Sequence, residues 1–192
     1  LDYLLSFGIK DKTGIDLPGE ISALVSNLIK SPREIEYANA AFGQGIALTP
    51  IEITRALASL GNGGVLVTPH VVEKIKYNNG LEEELKYDTV PTKITAETSE
   101  EITRMLVNIM DKAIEGGARK LDHHSVAVKT GTAQVANSEG GGYYTDRHMH
   151  SFFGYFPAYN PKFLVFLYAV NPKGSQYALT TWLNPFLDIT KF

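Results

Sequence analysis

Lys129-Thr130-Gly131-Thr132 sets a cation, a hydroxyl, a glycine and a second hydroxyl side by side, with Ala133-Gln134 following. These residue types suit an anionic, amide-like substrate. Lys129 supplies positive charge, and Thr130 and Thr132 supply donors. Gly131 carries no side chain, so a second backbone can approach it closely. The preceding run, His124-Ser125-Val126-Ala127-Val128, alternates and reads as a strand with one buried face that the four residues close.

Chemistry elsewhere is sparser. His123, His124, His148 and His150 form the other cluster of reactive side chains. His148-x-His150 puts two rings on one strand face, a spacing that zinc accepts, with Asp146 or Asp122 as a conceivable third ligand. Gly43-Gln44-Gly45 reads as a tight turn, since a phosphate-cradling loop needs Lys and Ser or Thr after its glycines. Glu82-Glu83-Glu84 reads as a solvated hairpin edge, and Asp111 and Glu115 as an exposed helix face. Tyr143-Tyr144 either borders a cleft or packs, and Trp182 reads as core of the last helix.

The 192 residues are 44% hydrophobic and 20% charged, the composition of an ordinary globular chain able to bury one core. A net charge of -3 gives no electrostatic footprint for a nucleic-acid partner. The absence of cysteine excludes a thiol nucleophile and thiolate metal sites. No apolar run reaches the roughly 18 residues of a membrane span. The chain opens on Leu1-Asp2-Tyr3-Leu4-Leu5, with no initiating Met and no signal-peptide pattern, which reads as a fragment starting inside structured sequence.

Positioning elements follow from caps and periodicity. Leu1 to Ser31 reads as mostly irregular, with turns at Lys12-Thr13-Gly14 and Pro18-Gly19 and a short helix within Ile21 to Lys30. Thr49, Pro50 and Glu52 predict a capped helix with an apolar face of Ile53, Ala56, Leu57 and Leu60, ended by Gly61-Asn62-Gly63-Gly64. Val65 to Tyr77, broken at Pro69, predicts strand, with Asn78-Asn79-Gly80 as a hairpin turn and a return through Leu85 to Tyr87. Thr98 and Glu101 predict the start of a helix whose stripe is Ile102, Met105, Leu106, Ile109, Met110, Ala113 and Ile114, stopped by Gly116-Gly117.

After the Lys129 strand, a Gly-rich loop at Glu139 to Gly142 leads to a strand near His150 to Phe156. Tyr159-Asn160-Pro161 then turns into Phe163 to Val170. Both runs read as central strands, and Ala178 to Phe192 as a closing helix with Pro185 inside it or near its start. Strands grouped late between helices predict an α+β fold, an antiparallel β-sheet with helices on its faces.

With those elements in place the sequence resembles the transpeptidase domain of class B penicillin-binding proteins. The resemblance rests on Thr13-Gly14-Ile15-Asp16-Leu17-Pro18-Gly19-Glu20, Gly43-Gln44-Gly45-Ile46-Ala47-Leu48-Thr49-Pro50, Asn62-Gly63-Gly64, Lys129-Thr130-Gly131-Thr132-Ala133-Gln134 and His150-Ser151-Phe152-Phe153-Gly154-Tyr155-Phe156-Pro157, with Pro185-Phe186 in the closing helix. Lys-Thr-Gly is one of three motifs in that family of serine acyl-transferases. The chain departs from it at Val128, where many relatives carry Gly, and at Gly116-Gly117-Ala118, where Gly-Thr-Ala is common. No serine is followed three residues later by Lys, and no Ser-x-Asn occurs. Relatives place both motifs ahead of the Thr13 to Glu20 segment, so truncation on the N-terminal side accounts for both absences.

The resemblance implies a penicillin-binding/serine β-lactamase-like fold, with residues 1–192 as one partial transpeptidase domain. It implies acyl transfer: a serine attacks the D-Ala-D-Ala carbonyl of a peptidoglycan stem peptide, D-Ala leaves, and a neighbouring stem's amine takes the acyl group. β-Lactam antibiotics mimic that substrate. Lys129 would hold positive potential at the substrate carboxylate and support the serine–lysine network. Thr130 and Thr132 hydroxyls would bind the carboxylate, the Thr132 N–H would serve as one oxyanion donor, and Gly131 would let the substrate strand lie close. The resemblance implies no cofactor and no metal, since His150 falls at a family strand position without metal function. It also implies a membrane-anchored parent facing the outside of the cell membrane, with cell-wall synthesis proteins as partners. The fragment alone is expected not to acylate. A serine β-lactamase or β-lactam sensor is the first alternative, disfavoured by the Gly43 to Pro50 stretch and by Ala133-Gln134. A non-catalytic interaction scaffold is the second.

Overall fold

A computed structural model of the chain describes residues 1–30 and 32–191. Ser31 and Phe192, the end residues of two expected segments, lie outside the described residues. The chain divides into two compact units. One comprises Leu1–Ala40 with Gly45–Ser99, and the other Ala41–Gln44 with everything from Glu100 on.

The first unit holds helices α1 (Asp2–Ser6), α2 (Ser26–Ile29), most of α3 (Glu34–Ala41) and α4 (Pro50–Ala58). Two small antiparallel sheets accompany them. Strand β1 (Val65–Val67) pairs with β4 (Thr89–Pro91), and β2 (Lys74–Lys76) pairs with β3 (Glu82–Glu84) around the Asn78-Asn79-Gly80 turn. The helix expected within Ile21 to Lys30 is reduced to the four residues of α2. The cause is tertiary: Leu24 bridges Ala47, and the Ala23 N–H donates to Glu52 at 2.8 Å, so those residues are drawn out as extended chain.

Helix α4 begins as its caps predict. Thr49 and Glu52 exchange hydrogen bonds in a full capping box, and Pro50 stands at the first helical position. Its most buried row is not the apolar one. Glu52, Ala56 and Ser59 are buried, whereas Ile53, Leu57 and Leu60 are half-buried. Glu52 can be buried because Oε1 accepts the Ala23 N–H and Oε2 accepts both the Thr49 N–H and its hydroxyl. Gly64 follows with φ +86°, and a Cβ there would lie 2.1 Å from the Ile94 carbonyl oxygen, so only glycine fits.

Helix α5 (Ala96–Asn108) starts three residues before its expected cap pair. Thr95 caps it, with Oγ1 accepting the Thr98 N–H at 3.1 Å. The expected stripe is also rotated: Met105 is 57% exposed, while Thr103, Leu106, Val107, Met110 and Ile114 are buried. A π-turn at Ile109–Ala113 shifts the helical phase before a 3-10 turn at Ile114–Gly117. Gly117, at φ +87°, closes it within 2.5 Å of the Asp111 carbonyl oxygen, measured to the Cβ it lacks.

The second unit is built on one sheet in the order β5-β6-β7, all antiparallel, with β5 at Ala127–Ala136, β6 at Tyr143–Phe156 and β7 at Phe163–Val170. The fold is α+β, an antiparallel sheet with helices on its faces. Helix α6 (Ala178–Ile189, with Pro185 inside it) packs Leu183, Phe186 and Leu187 against Val128, Phe152 and Phe156, with Met110 and Ile114 in the same core. On the opposite face the Tyr155 hydroxyl meets the Thr103 hydroxyl of α5 at 2.7 Å. Burial raises the Tyr155 pKa, and the Thr103 hydrogen bond opposes that shift.

Three expectations about this sheet need correction. The Lys129 residues do not close the strand; they lie in its first half, because Ser125 pairs through its carbonyl with the Ala158 N–H and β5 starts only at Ala127. Strand β6 begins at Tyr143, not near His150, because Ala136 and Tyr143 pair across the Gly-rich turn, with a register shift between Gln134 and Ala136. Of the two strands read as central, β6 is, but β7 lies at an edge of the described sheet with Phe163, Tyr168 and Val170 exposed.

Candidate functional site

Strand β5 is the other edge of that sheet, and its backbone has a definite polarity. The Ser125 carbonyl accepts from Ala158, on the β6 side. The His148 carbonyl, by contrast, accepts from Asn171, on the β7 side. In an antiparallel ladder the N–H and C=O of alternate residues point the same way. With Thr130 opposite Phe152 and Thr132 opposite His150, the N–H and C=O of both threonines therefore face away from β6, along the open edge.

All four residues singled out by type lie consecutively on this edge strand, and alternation splits their side chains between two faces. Thr130 and Thr132 share the face of Val128, on which α6 packs. Lys129 and Gly131 share the other. The exposed Lys129 side chain folds back to the edge, where Nζ donates to the Thr130 carbonyl at 2.8 Å. The ammonium and the Thr130 and Thr132 N–H groups thus share one strand edge, a set of donors suited to an anion.

Two of these residues have neighbours that their sequence position did not announce. The Thr132 hydroxyl accepts the Ala178 N–H at 3.1 Å, in the first turn of α6. One lone pair is engaged there and the hydroxyl proton remains to be donated. Gly131 stands opposite Ser151, and a Cβ on it would lie 2.6 Å from Ser151 Oγ. A side chain here would require the Ser151 hydroxyl to turn away, independently of any approaching substrate.

His150 also belongs to this neighbourhood. It is buried opposite Thr132, its Nδ1 lies 2.8 Å from Thr181 Oγ1, and its carbonyl accepts the Trp182 indole N–H at 3.2 Å. The His148 and His150 ring centroids are 6.5 Å apart, and among the described residues no three His, Asp or Glu side chains gather at metal-binding reach. His-x-His was the only sequence signal at this point; Thr181 and Ala178, over thirty residues further on, gave none.

The Thr13 to Glu20 stretch offers two carboxylates, and both are engaged by backbone. Glu20 accepts the Thr13 N–H and hydroxyl, each at 2.6 Å, and the Gly14 N–H at 3.2 Å. Desolvation works against the Glu20 carboxylate, but the Thr13 and Gly14 donors prevail and hold its pKa below the ordinary value. Asp16 accepts the Val71 and Val72 N–H groups, each at 2.8 Å, and the Val72 bond leads in lowering its pKa. This loop is a staple within the first unit.

The transpeptidase domain of penicillin-binding proteins matches residues 1–188. The chain is 34% identical over 177 residues to stage V sporulation protein D of Bacillus subtilis, covering 90% of this chain and 26% of that protein. It is 29% identical over 166 residues to the peptidoglycan D,D-transpeptidase FtsI homolog of Mesostigma viride, covering 78% of this chain and 27% of that one. The crystal structure of penicillin-binding protein 3 from Mycobacterium tuberculosis, complexed with ampicillin, superposes with a TM-score of 0.82 at 26% identity, covering 99% of this chain and 45% of that one. The chain spans about a quarter of the length of these two curated relatives.

Proposed function

The chain belongs to the family of penicillin-binding protein transpeptidase domains, and from that premise we propose that it carries the carboxylate-binding and oxyanion edge of a peptidoglycan D,D-transpeptidase. The observation that supports this most is the open edge of β5. It directs the Thr130 and Thr132 N–H groups outward beside the Lys129 ammonium. In the proposed reaction the terminal carboxylate of a D-Ala-D-Ala stem peptide, or its β-lactam counterpart, lies against Lys129 and the Thr130 and Thr132 hydroxyls. The Thr132 N–H faces the oxygen that becomes an oxyanion, where one donor is worth about 3 kcal/mol of barrier. No serine here has Lys three residues on, so the acylating serine and its base come from another part of the parent protein.

Residues 1–192 form part of one transpeptidase domain in this reading, since the family match runs through both compact units. Peptidoglycan lies outside the cytoplasmic membrane. The parent therefore acts from that membrane with this domain on its outer face, beside other cell-wall synthesis proteins. Among the described residues no helix is long and apolar enough to cross a membrane.

Two measurements test the reading. Titrating the 15N-labelled chain with a short peptide ending in D-Ala-D-Ala should shift the Thr130, Gly131 and Thr132 amide signals; unshifted signals would remove the proposed edge. Incubation with a fluorescent penicillin should leave the chain unlabelled, and a covalent adduct would show that the nucleophile lies within it.

A further inference from the structure

Resting on the proposed carboxylate-binding role of β5, we infer that His150 is a positioning residue for Thr132, acting through the first turn of α6. His150 is 1% exposed and directly opposite Thr132. The two form a pair whose backbone groups point away from each other. Such pairs have Cα atoms about 4.5 Å apart and bring their side chains closest. Both side chains reach the same short stretch of α6. Thr132 Oγ1 accepts the Ala178 N–H, and His150 Nδ1 meets Thr181 Oγ1. Ala178 and Thr181 are three residues apart, neighbours along one side of a helical turn. The strand pair and the helix turn thus close a circuit in which His150 fixes Thr181, Thr181 fixes the turn, and the turn presents Ala178 to Thr132.

The protons along this circuit have assignable directions. The Thr181 hydroxyl also lies 3.4 Å from the Tyr177 carbonyl, and we assign its one proton to that oxygen. A lone pair is then left for an Nδ1–H from His150, which makes His150 the Nδ1–H tautomer. Its Nε2, buried and without a partner among the described residues, is then a bare acceptor and not an orphaned N–H, the rarer case. At the other end of the circuit, the Ala178 N–H occupies one Thr132 lone pair and turns the hydroxyl proton away from the helix, free for an anionic acceptor. Release of Thr181 would let the turn move, free that lone pair, and leave the Thr132 hydroxyl to rotate.

The test uses the 15N-labelled 192-residue chain and a short peptide ending in D-Ala-D-Ala. Wild type, Thr181→Val, His150→Ala and His150→Asn are compared by peptide Kd, by the Ala178 amide shift and, in wild type, by the 15N shifts of the His150 ring. Thr181→Val keeps the shape and removes the acceptor. We expect it and His150→Ala to move the Ala178 amide signal and weaken the peptide about fivefold, the worth of one ordinary hydrogen bond. His150→Asn, whose amide N–H can replace Nδ1–H, should restore Kd to within about twofold of wild type. The wild-type ring should show the Nδ1–H tautomer. An unmoved Ala178 amide or an unchanged Kd in folded Thr181→Val overturns the inference, and that variant decides alone if His150→Ala does not fold. If wild type binds no peptide, the functional reading fails instead, and the Ala178 amide still decides whether His150 controls Thr132.

Discussion

The loop from Thr13 to Glu20 and the β5 edge from Lys129 to Thr132 are both dense in polar residues and glycine, and they use them in opposite ways. In the loop both carboxylates are occupied by backbone N–H groups of the same unit. On the edge the N–H groups of Thr130 and Thr132 point outward, and the Lys129 ammonium donates to its neighbour's carbonyl. A motif-like string therefore carries no functional meaning until its hydrogen bonds are traced. Polar groups satisfied within the fold hold it together, and polar groups left open at an edge are what a ligand can use.

The sharpest break of this contrast is expected where the engaged side is most buried. Glu52, 2% exposed, accepts three hydrogen bonds. Glu52→Ala should cost about 3 kcal/mol in denaturant unfolding, since the cap and two N–H donors lose their partner. Glu20→Gln should cost less, about 2 kcal/mol, because Glu20 is less buried and the amide can keep one acceptor. Acid should act in the same direction. The folded Glu20 and Asp16 pKa values lie below the ordinary values of free Glu and Asp side chains. Their contribution is thus present above those values and lost as pH falls through the lower, folded ones. Unfolding followed between about pH 5 and pH 2 should show that loss, and Glu20→Gln should flatten it.

The open side should respond differently. Gly131→Ala forces the contact with Ser151 Oγ and should cost about 1–2 kcal/mol, with Ser151→Gly in the same chain recovering most of it; no recovery would mean that the strain lies elsewhere. Lys129→Ala should change stability by at most about 0.5 kcal/mol yet weaken the D-Ala-D-Ala peptide several-fold by titration. A stability loss as large as that of Glu20→Gln would erase the distinction between the two regions.

The same distinction explains what could be read from the sequence. Helix α4 was legible because its capping box is local, closed within four residues. The hairpin at Asn78-Asn79-Gly80 and the turn before β7 were legible for the same reason. Strand β4, Thr89–Pro91, was not, because it is short, ends in Pro and owes its existence to pairing with Val65–Val67. The start of α5 was misplaced by three residues because Thr95 and Thr98 are equally good caps by type. At the site, residue types announced Lys129 to Thr132. Their division between two faces, the Ser151 contact behind Gly131 and the Ala178 bond to Thr132 depend on strands and a helix that meet only after folding.

The edge position of β5 also bears on how the protein behaves when crowded with copies of itself. An unpaired strand invites another strand, and two such edges from separate molecules would zip together into an aggregate. Lys129 works against that. Its ammonium occupies the Thr130 carbonyl, one of the acceptors an incoming strand would need, and it places a positive charge on the seam. Two edges meeting would each bring that charge. The charge proposed to hold a small anion at this edge would thus also oppose edge-to-edge pairing of two copies.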